Sequence, residues 1–273
     1  MDKGLGEYLT PEQEEPNLDK WLNKIIHGDC LEVMRDIPDK SVDMILCDLP
    51  YGTTACKWDE IIPFEPLWEQ YERVIKDNGA IVLTASQPFT SKLIMSNLKM
   101  FKYELIWDKN YGGAPGVAKY RPMPSHESIL VYANGKTTYN PQMRTGKPYN
   151  DKRSGERAKI NGNEHKFGYK NNFDIQNKGV RYPLSVIKIQ KYNIKGEHPT
   201  QKPVALFEYL IKTYTNEGEI VLDNCIGSGT TAIAAHNTGR NFIGFELDKH
   251  YCDIANERIQ KTLAEKEAIC ITI

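Results

Sequence analysis

The sequence contains no stretch approaching the ~18 consecutive apolar residues of a membrane span. Its first thirty residues carry Glu12, Glu14, Glu15 and Asp19 but no basic start followed by an apolar core. Membrane-spanning and signal-peptide readings are excluded on that pattern, and a cytoplasmic protein is expected. Cysteine is sparse: there are six, at positions 30, 47, 56, 225, 252 and 270, and none forms a CxxC pair. Such scatter predicts reduced thiols, not a disulfide frame or a zinc site. No cluster of His, Cys and Asp with ligand-like spacing is present, so no metal is expected, and the six histidines need no active role. A strong net charge is missing too, because 35 Lys+Arg stand against 36 Asp+Glu over 273 residues. With 40% hydrophobic and 26% charged residues the composition is that of a globular chain of one or two domains.

The balance of charge conceals an uneven distribution. Residues 136–195 hold 14 Lys+Arg and only four acids, a local net charge of +10, which leaves -11 for the rest. Tyr139, Tyr149, Phe167, Tyr169, Phe173, Tyr182 and Tyr192 are interleaved with the bases, and apolar periodicity is weak. A basic block inside an acidic protein is the electrostatic footprint of a polyanion partner. The alternative is a solvated insertion, and composition alone does not separate the two.

On either side of the block, strands and helices alternate. Strands are expected at 23–27, 41–47, 80–85, 103–107, 127–132, 219–222 and 242–245. Helices are expected at 66–76, 89–98, 203–214, 230–237 and 249–263, with Asp77-Asn78-Gly79 stopping the first. This alternation predicts a mostly parallel α/β sheet. Residues 1–20 are acidic and turn-rich and are expected to form a flexible arm.

Between Glu219 and Asp248 a strand runs into Gly227-Ser228-Gly229-Thr230-Thr231, a helix opens, and a second strand ends at Glu246. Small residues let the backbone approach a ligand, and the helix start offers free N–H groups. An acid ending the second strand suits ribose hydroxyls. The loop also fits the GxGxxG/A dinucleotide pattern, but Asp223 at the strand end would repel a pyrophosphate and suits a cation such as an amino-acid ammonium. Fewer than 30 residues follow Glu246, so the remaining strands of a doubly wound sheet must come from the N-terminal half. The chain therefore reads as circularly permuted.

Asp48-Leu49-Pro50-Tyr51-Gly52 follows the apolar strand MILC, at the end of a strand where open α/β sheets bind ligands. An acid and a proline carbonyl can accept the hydrogens of a planar amine while the tyrosine ring stacks on it. With this loop the chain resembles the beta-class amino-methylating DNA methyltransferases. DLPYG is similar to their Asp/Asn/Ser-Pro-Pro-aromatic catalytic motif and DNCIGSGTT to their DPFxGSGTT cofactor motif. His198-Pro199-Thr200-Gln201-Lys202-Pro203 resembles their HPTQKP segment, Gly28-Asp29-Cys30 their GD(C/A) element and His126-Glu127 their HE pair. The order of catalytic motif, basic region and cofactor motif is also theirs, over roughly residues 23–260. Two departures are Leu49 in place of the first proline and Asn224-Cys225 in place of Pro-Phe.

The resemblance implies a circularly permuted Rossmann-like methyltransferase domain. Its catalytic half would be residues 21–135 and its cofactor half residues 196–273, with residues 136–195 as a target-recognition insertion. It implies methyl transfer from S-adenosyl-L-methionine to the N6 of adenine in double-stranded DNA, the acid opening the motif favouring adenine over the N4 of cytosine. The base must leave the stack to be reached. Asp48, Pro50 and Tyr51 would be catalytic, with no cysteine nucleophile, so that Cys47, Cys56 and Cys225 serve as small buried hydrophobes. Glu246 would take the ribose hydroxyls and Asp29 the adenine amino group. Asp223 with Gly227, Ser228, Gly229 and Thr230 would line the methionine end, and Thr200 and Lys202 its carboxylate. Alternatives are an RNA or protein amino-methyltransferase, a nicotinamide dehydrogenase and a catalytically dead DNA-binding regulator. Such enzymes act beside a cognate restriction enzyme or as orphans, as monomers or homodimers, and the sequence leaves both choices open.

Overall fold

A computed structural model of the chain describes residues 18–54, 59–153, 159–160, 163–164, 173–190 and 201–271. Thr200, His198, Cys56 and most of the expected N-terminal arm lie outside the described residues. In chain order the first half runs β1 (Lys24–His27), α1 (Cys30–Val33), β2 (Val42–Cys47), α2 (Phe64–Val74), β3 (Ile75–Ala85), α3 (Phe89–Ser96), β4 (Phe101–Asp108) and β5 (His126–Tyr132). The basic block holds β6 (Arg144–Thr145), β7 (Tyr149–Arg153), β8 (Lys159–Ile160), β9 (Asn163–Glu164), β10 (Phe173–Asn177), β11 (Val180–Arg181) and β12 (Val186–Lys188). The chain then completes α4 (Val204–Tyr214), β13 (Ile220–Asp223), α5 (Thr230–Asn237), β14 (Asn241–Glu246) and α6 (Lys249–Ile271).

Eight of the described strands form one sheet in the order β1-β14-β13-β2-β3-β5-β4-β12. Every neighbouring pair is parallel except those made by β5, which runs antiparallel to both β3 and β4. The pairing of β1 with β14 joins the two ends of the chain, so the permutation expected from the motif order is realised in the sheet.

The central strands are apolar on both faces because both are covered. On β2, Ile45 and Cys47 pack into one core with Leu67, Trp68 and Tyr71 of α2 and Phe89 of α3. Met44 and Leu46 point the other way, against α4, α5 and α6. Leu206, Leu210 and Ile211 of α4 are fully buried there. Each contributes about 1.5–3 kcal/mol, which anchors the segment entering that helix over the sheet.

Three elements depart from expectation. Strand β3 begins at Ile75, directly after α2, and runs through Asp77-Asn78-Gly79, which sequence alone read as a stop. The register between β2 and β3 shifts there, and a side chain at Gly79 would sit 2.8 Å from the Asp43 carbonyl oxygen. Glycine is what lets the strand continue past that approach. Helix α6 extends past Leu263 to Ile271 because LAEKEA supplies strong helix formers and no breaker. At the end of the basic block, β12 pairs with β4 and so belongs to the central sheet. The rest of the block's strands form short antiparallel pairs outside it.

Candidate active site

The carboxyl edge of the sheet collects the functional side chains in strand order. Asp29 follows β1, Glu246 ends β14, Asp223 ends β13, Asp48 follows β2 and Thr84 sits near the end of β3. Glu127 joins them from the start of β5, because an antiparallel strand brings its first residues to the edge where its neighbours finish. The chain passes outward in opposite directions from β13 and β2, making the crevice between them a topological switch point. A cavity of 580 Å³ opens there, a size suited to a cofactor and part of a substrate. It is lined by Asp29, Asp48, Pro50, Tyr51, Lys202, Asp223, Gly227, Ser228, Thr230 and Glu246, so all but two of the expected site residues converge. Gly229 instead caps α5 from behind, at φ 85°, and Thr200 is outside the described residues.

Asp48 is held from three sides. Its Oδ1 accepts from the Tyr51 hydroxyl at 2.7 Å and from the Thr84 hydroxyl, and its Oδ2 accepts from Lys202 Nζ at 2.7 Å. Lys202 Nζ also lies 3.2 Å from Glu127 Oε2, and Lys109 Nζ lies 2.8 Å from Glu127 Oε1. Only 8% of Lys202 is exposed. Burial disfavours its ammonium, but the charges of Asp48 and Glu127 outweigh that and keep it charged far above neutral pH. Burial would likewise raise Glu127, yet Lys202 and Lys109 hold it below the usual carboxylate range. Tyr51 stacks on Phe89 with ring centroids 5.2 Å apart. Burial and then the Asp48 charge push its phenol well up, so it is a hydrogen-bond donor at working pH.

On the other side of the switch point, Glu246 accepts from the Gly227 N–H at 2.8 Å and the Asp248 N–H at 2.9 Å. Burial outweighs these bonds and raises its carboxyl. Asp223 accepts from the Cys225 N–H at 3.0 Å and from the Thr231 hydroxyl. Only 2% of it is exposed, and burial pushes its carboxyl up to about 7 against the pull of those hydrogen bonds. Asp29 caps α1 through the Leu31 N–H at 2.8 Å. Asn224, which stands where the resembled motif has proline, accepts from the Tyr71 hydroxyl at 2.6 Å and is buried. Cys47 is fully buried, and burial raises its thiol to about 12, whereas Cys225 is half-buried and lines the cavity.

Sequence reasoning missed several of these groups. Asp59 accepts from the backbone N–H groups of Gly52, Thr53 and Thr54, at 2.9, 2.9 and 2.7 Å, and so pins the loop after Tyr51. Burial would raise its carboxyl, but these bonds hold it low. Neither Asp59, Thr84, Lys109 nor Phe89 belongs to a motif. Glu127 was visible in the HE pair but without a role, and Lys202, expected beside the cofactor carboxylate, lines the cavity with its ammonium 2.7 Å from Asp48 Oδ2 and 3.2 Å from Glu127 Oε2. Among the described residues no group of three His, Cys, Asp or Glu side chains is arranged to hold a metal ion. No described helix is long and apolar enough to cross a membrane.

A doubly wound sheet with a glycine turn on one side of its switch point and a carboxylate on the other is the arrangement in which open α/β enzymes bind their ligands. Solved DNA methyltransferases share this fold. The cytosine-N4-specific PvuII DNA methyltransferase aligns with a TM-score of 0.60 over 85% of this chain and 84% of its own, at 14% identity, a likeness of fold alone. The M1.HpyAVI–SAM complex aligns with a TM-score of 0.57 at 28% identity, over 86% of this chain and 98% of its own. Residues 42–257 match the "DNA methylase" family of N6/N4 methyltransferases, and the chain belongs to that family. The Type II methyltransferase M1.MboII of Moraxella bovis is 28% identical over 257 residues, which span 86% of this chain and 95% of that protein. The DNA adenine methyltransferase YhdJ of Escherichia coli (strain K12) is 29% identical over 254 residues, spanning 86% of this chain and 82% of that protein.

Proposed function

We propose that this DNA methylase transfers a methyl group from S-adenosyl-L-methionine to the exocyclic N6 of an adenine turned out of double-stranded DNA. The observation that carries the reading is that Asp48, fixed by three donors, faces the same cavity as Pro50, Tyr51 and the Gly227 loop. The cavity fits the cofactor chemically. Buried acids at Asp223 and Glu246 suit an ammonium and vicinal hydroxyls, and the Gly227–Thr230 turn admits a close backbone approach. The cofactor supplies an electrophilic methyl on a sulfonium.

The chain supplies orientation. Asp48 Oδ2 and the Pro50 carbonyl accept the two N–H hydrogens of the amine, which draws its lone pair out of conjugation with the ring. Aromatic contact from Tyr51 replaces part of the stacking lost on extrusion, a term of ~1–3 kcal/mol per base. Adenine is favoured by the acid opening DLPYG and by the likeness to YhdJ. Residues 136–195 serve as the DNA-recognition region. Their bases contribute salt-dependent phosphate affinity, and a few of their polar side chains read base edges.

The test is incubation with labelled S-adenosylmethionine and unmethylated DNA, followed by digestion to nucleosides. Label in N6-methyladenine supports the reading. Label in N4-methylcytosine keeps the mechanism but overturns the base, and label in RNA or protein instead of DNA overturns the substrate class.

A further inference from the structure

We infer that Lys202 is a positioning residue of the methyl-transfer site, not a ligand of the cofactor's carboxylate: clamped between Asp48 and Glu127, it turns Asp48 so that one acceptor position faces the amine. The inference deepens the proposed function and rests on its reading of Asp48 as the amine acceptor.

An ionised carboxylate offers about four lone-pair positions. On Asp48 the two of Oδ1 are taken by Tyr51 and Thr84, and one of Oδ2 by Lys202 at 2.7 Å. The remaining position lies on Oδ2, and its direction is set by where the ammonium sits. That ammonium is fixed in turn by Glu127 at 3.2 Å, and Glu127 by Lys109 at 2.8 Å. Charges therefore alternate along Lys109, Glu127, Lys202 and Asp48, across the ends of four elements that meet only in the folded sheet. Lys202 Nζ also lies 5.5 Å from the centroid of the Tyr51 ring, so it orients the aromatic group as well.

With Asp48 at 2.7 Å and Glu127 at 3.2 Å, two of the three directions in which this ammonium can donate face the protein's own carboxylates. Turning it away from Asp48 toward a cofactor carboxylate would remove the one cation within 4 Å of Asp48 among the described residues. The geometry also explains why a lysine from the cofactor half of the chain reaches the catalytic loop. The two residues are 154 positions apart, and the bond stitches the two sides of the switch point together. It aligns the amine acceptor with the cofactor side of the cavity.

The experiment compares full-length wild type with Lys202→Met, Lys202→Arg and Glu127→Gln. It measures S-adenosylhomocysteine affinity by calorimetry, kcat at saturating cofactor and DNA, and thermal unfolding. Lys202→Met is expected to lower kcat by about 100-fold or more, in the range of a lost orienting contact, with cofactor Kd within about threefold. Glu127→Gln moves kcat in the same direction by about tenfold, and Lys202→Arg restores part of the loss. A tenfold or greater rise in cofactor Kd with kcat unchanged at saturation would overturn the inference and return Lys202 to the cofactor. If Lys202→Met does not fold, Glu127→Gln decides by the same split. Asp48→Asn separates the two levels. An inactive Asp48→Asn beside a fully active Lys202→Met sinks the inference alone, whereas a fully active Asp48→Asn sinks the assignment of Asp48 beneath it.

Discussion

Replacing Asp223 with Asn isolates a charge that the fold holds at a cost. In the folded protein burial raises this carboxyl from 3.8 to about 7, while in the unfolded chain it keeps its ordinary value. Below pH 4 the group is protonated in both states and its contribution to stability is fully present. As pH rises from 4 to 7 the unfolded chain ionises first, so stability is lost, and above 7 the loss is complete at about 4 kcal/mol. Asparagine does not titrate. It keeps the acceptor for the Cys225 N–H, and its amide can meet the Thr231 hydroxyl, which turns to accept. The stability of Asp223→Asn relative to wild type should therefore increase by about 2–3 kcal/mol between pH 5 and pH 8. Urea unfolding of both proteins at the two pH values, without cofactor, measures this directly, and other titrating groups cancel in the difference. A difference that is the same at both pH values would refute the reasoning. Under the proposed function the stabilised variant also loses cofactor affinity, because the carboxylate that destabilises the fold is the one that faces the cofactor's ammonium. Calorimetry at pH 6.5 in buffers of different ionisation enthalpy should then show proton release on cofactor binding to wild type and none with the variant.

Asp48→Asn is expected to reduce kcat by about 100-fold or more and to change S-adenosylhomocysteine affinity only slightly, read by methyl transfer and calorimetry. Glu246→Gln turns an amide NH2 toward either the Gly227 or the Asp248 N–H. The resulting unpaired donor should cost about 1–3 kcal/mol, visible in the melting temperature and as weaker cofactor binding. Gly229→Ala places a Cβ at φ +85°, 3.1 Å from the Ala255 Cβ. A cost of about 1–2 kcal/mol is expected from the left-handed backbone, measured as a lower urea midpoint at unchanged slope. Lys178 is exposed in the basic block, and Lys178→Ala should reduce the slope of log affinity against log salt for duplex DNA by about 1, whatever the DNA sequence.

Much of the architecture was legible along the chain. Runs such as MILC and AIVLTA are continuous apolar stretches of strand length, as strands covered on both faces require, and helix α5 begins and ends where its glycines and small residues place it. Local chemistry also marks the acids at strand ends, because Asp29, Asp48, Asp223 and Glu246 each close an apolar run within a few residues. The permutation followed from the order of these units. Three things were not local. Strand β3 passes through an Asp-Asn-Gly stretch because it bulges there against β2, Ile75 pairing with Val42 and Ala80 already with Met44. The last strand of the basic block enters the sheet only because β4 offers a free edge. Asn224, a polar residue in an apolar motif position, is satisfied by Tyr71 from the opposite half of the chain.

The linear sequence by itself determined which chemistry the protein carries: a carboxylate, a proline carbonyl and an aromatic ring in one loop, and a glycine turn between acids in another. Each depends on neighbours along the chain and so is written there. Only the tertiary structure decided how the carboxylate is used. Thr84 and Lys202 reach Asp48, and Glu127 reaches Lys202, through sheet pairing, an antiparallel β5 and the packing of α4, contacts that span up to 154 positions and leave no spacing to read. The direction in which Asp48 offers its remaining acceptor is set by those three-dimensional partners, because a carboxylate's lone pairs are apportioned by whatever surrounds it in space.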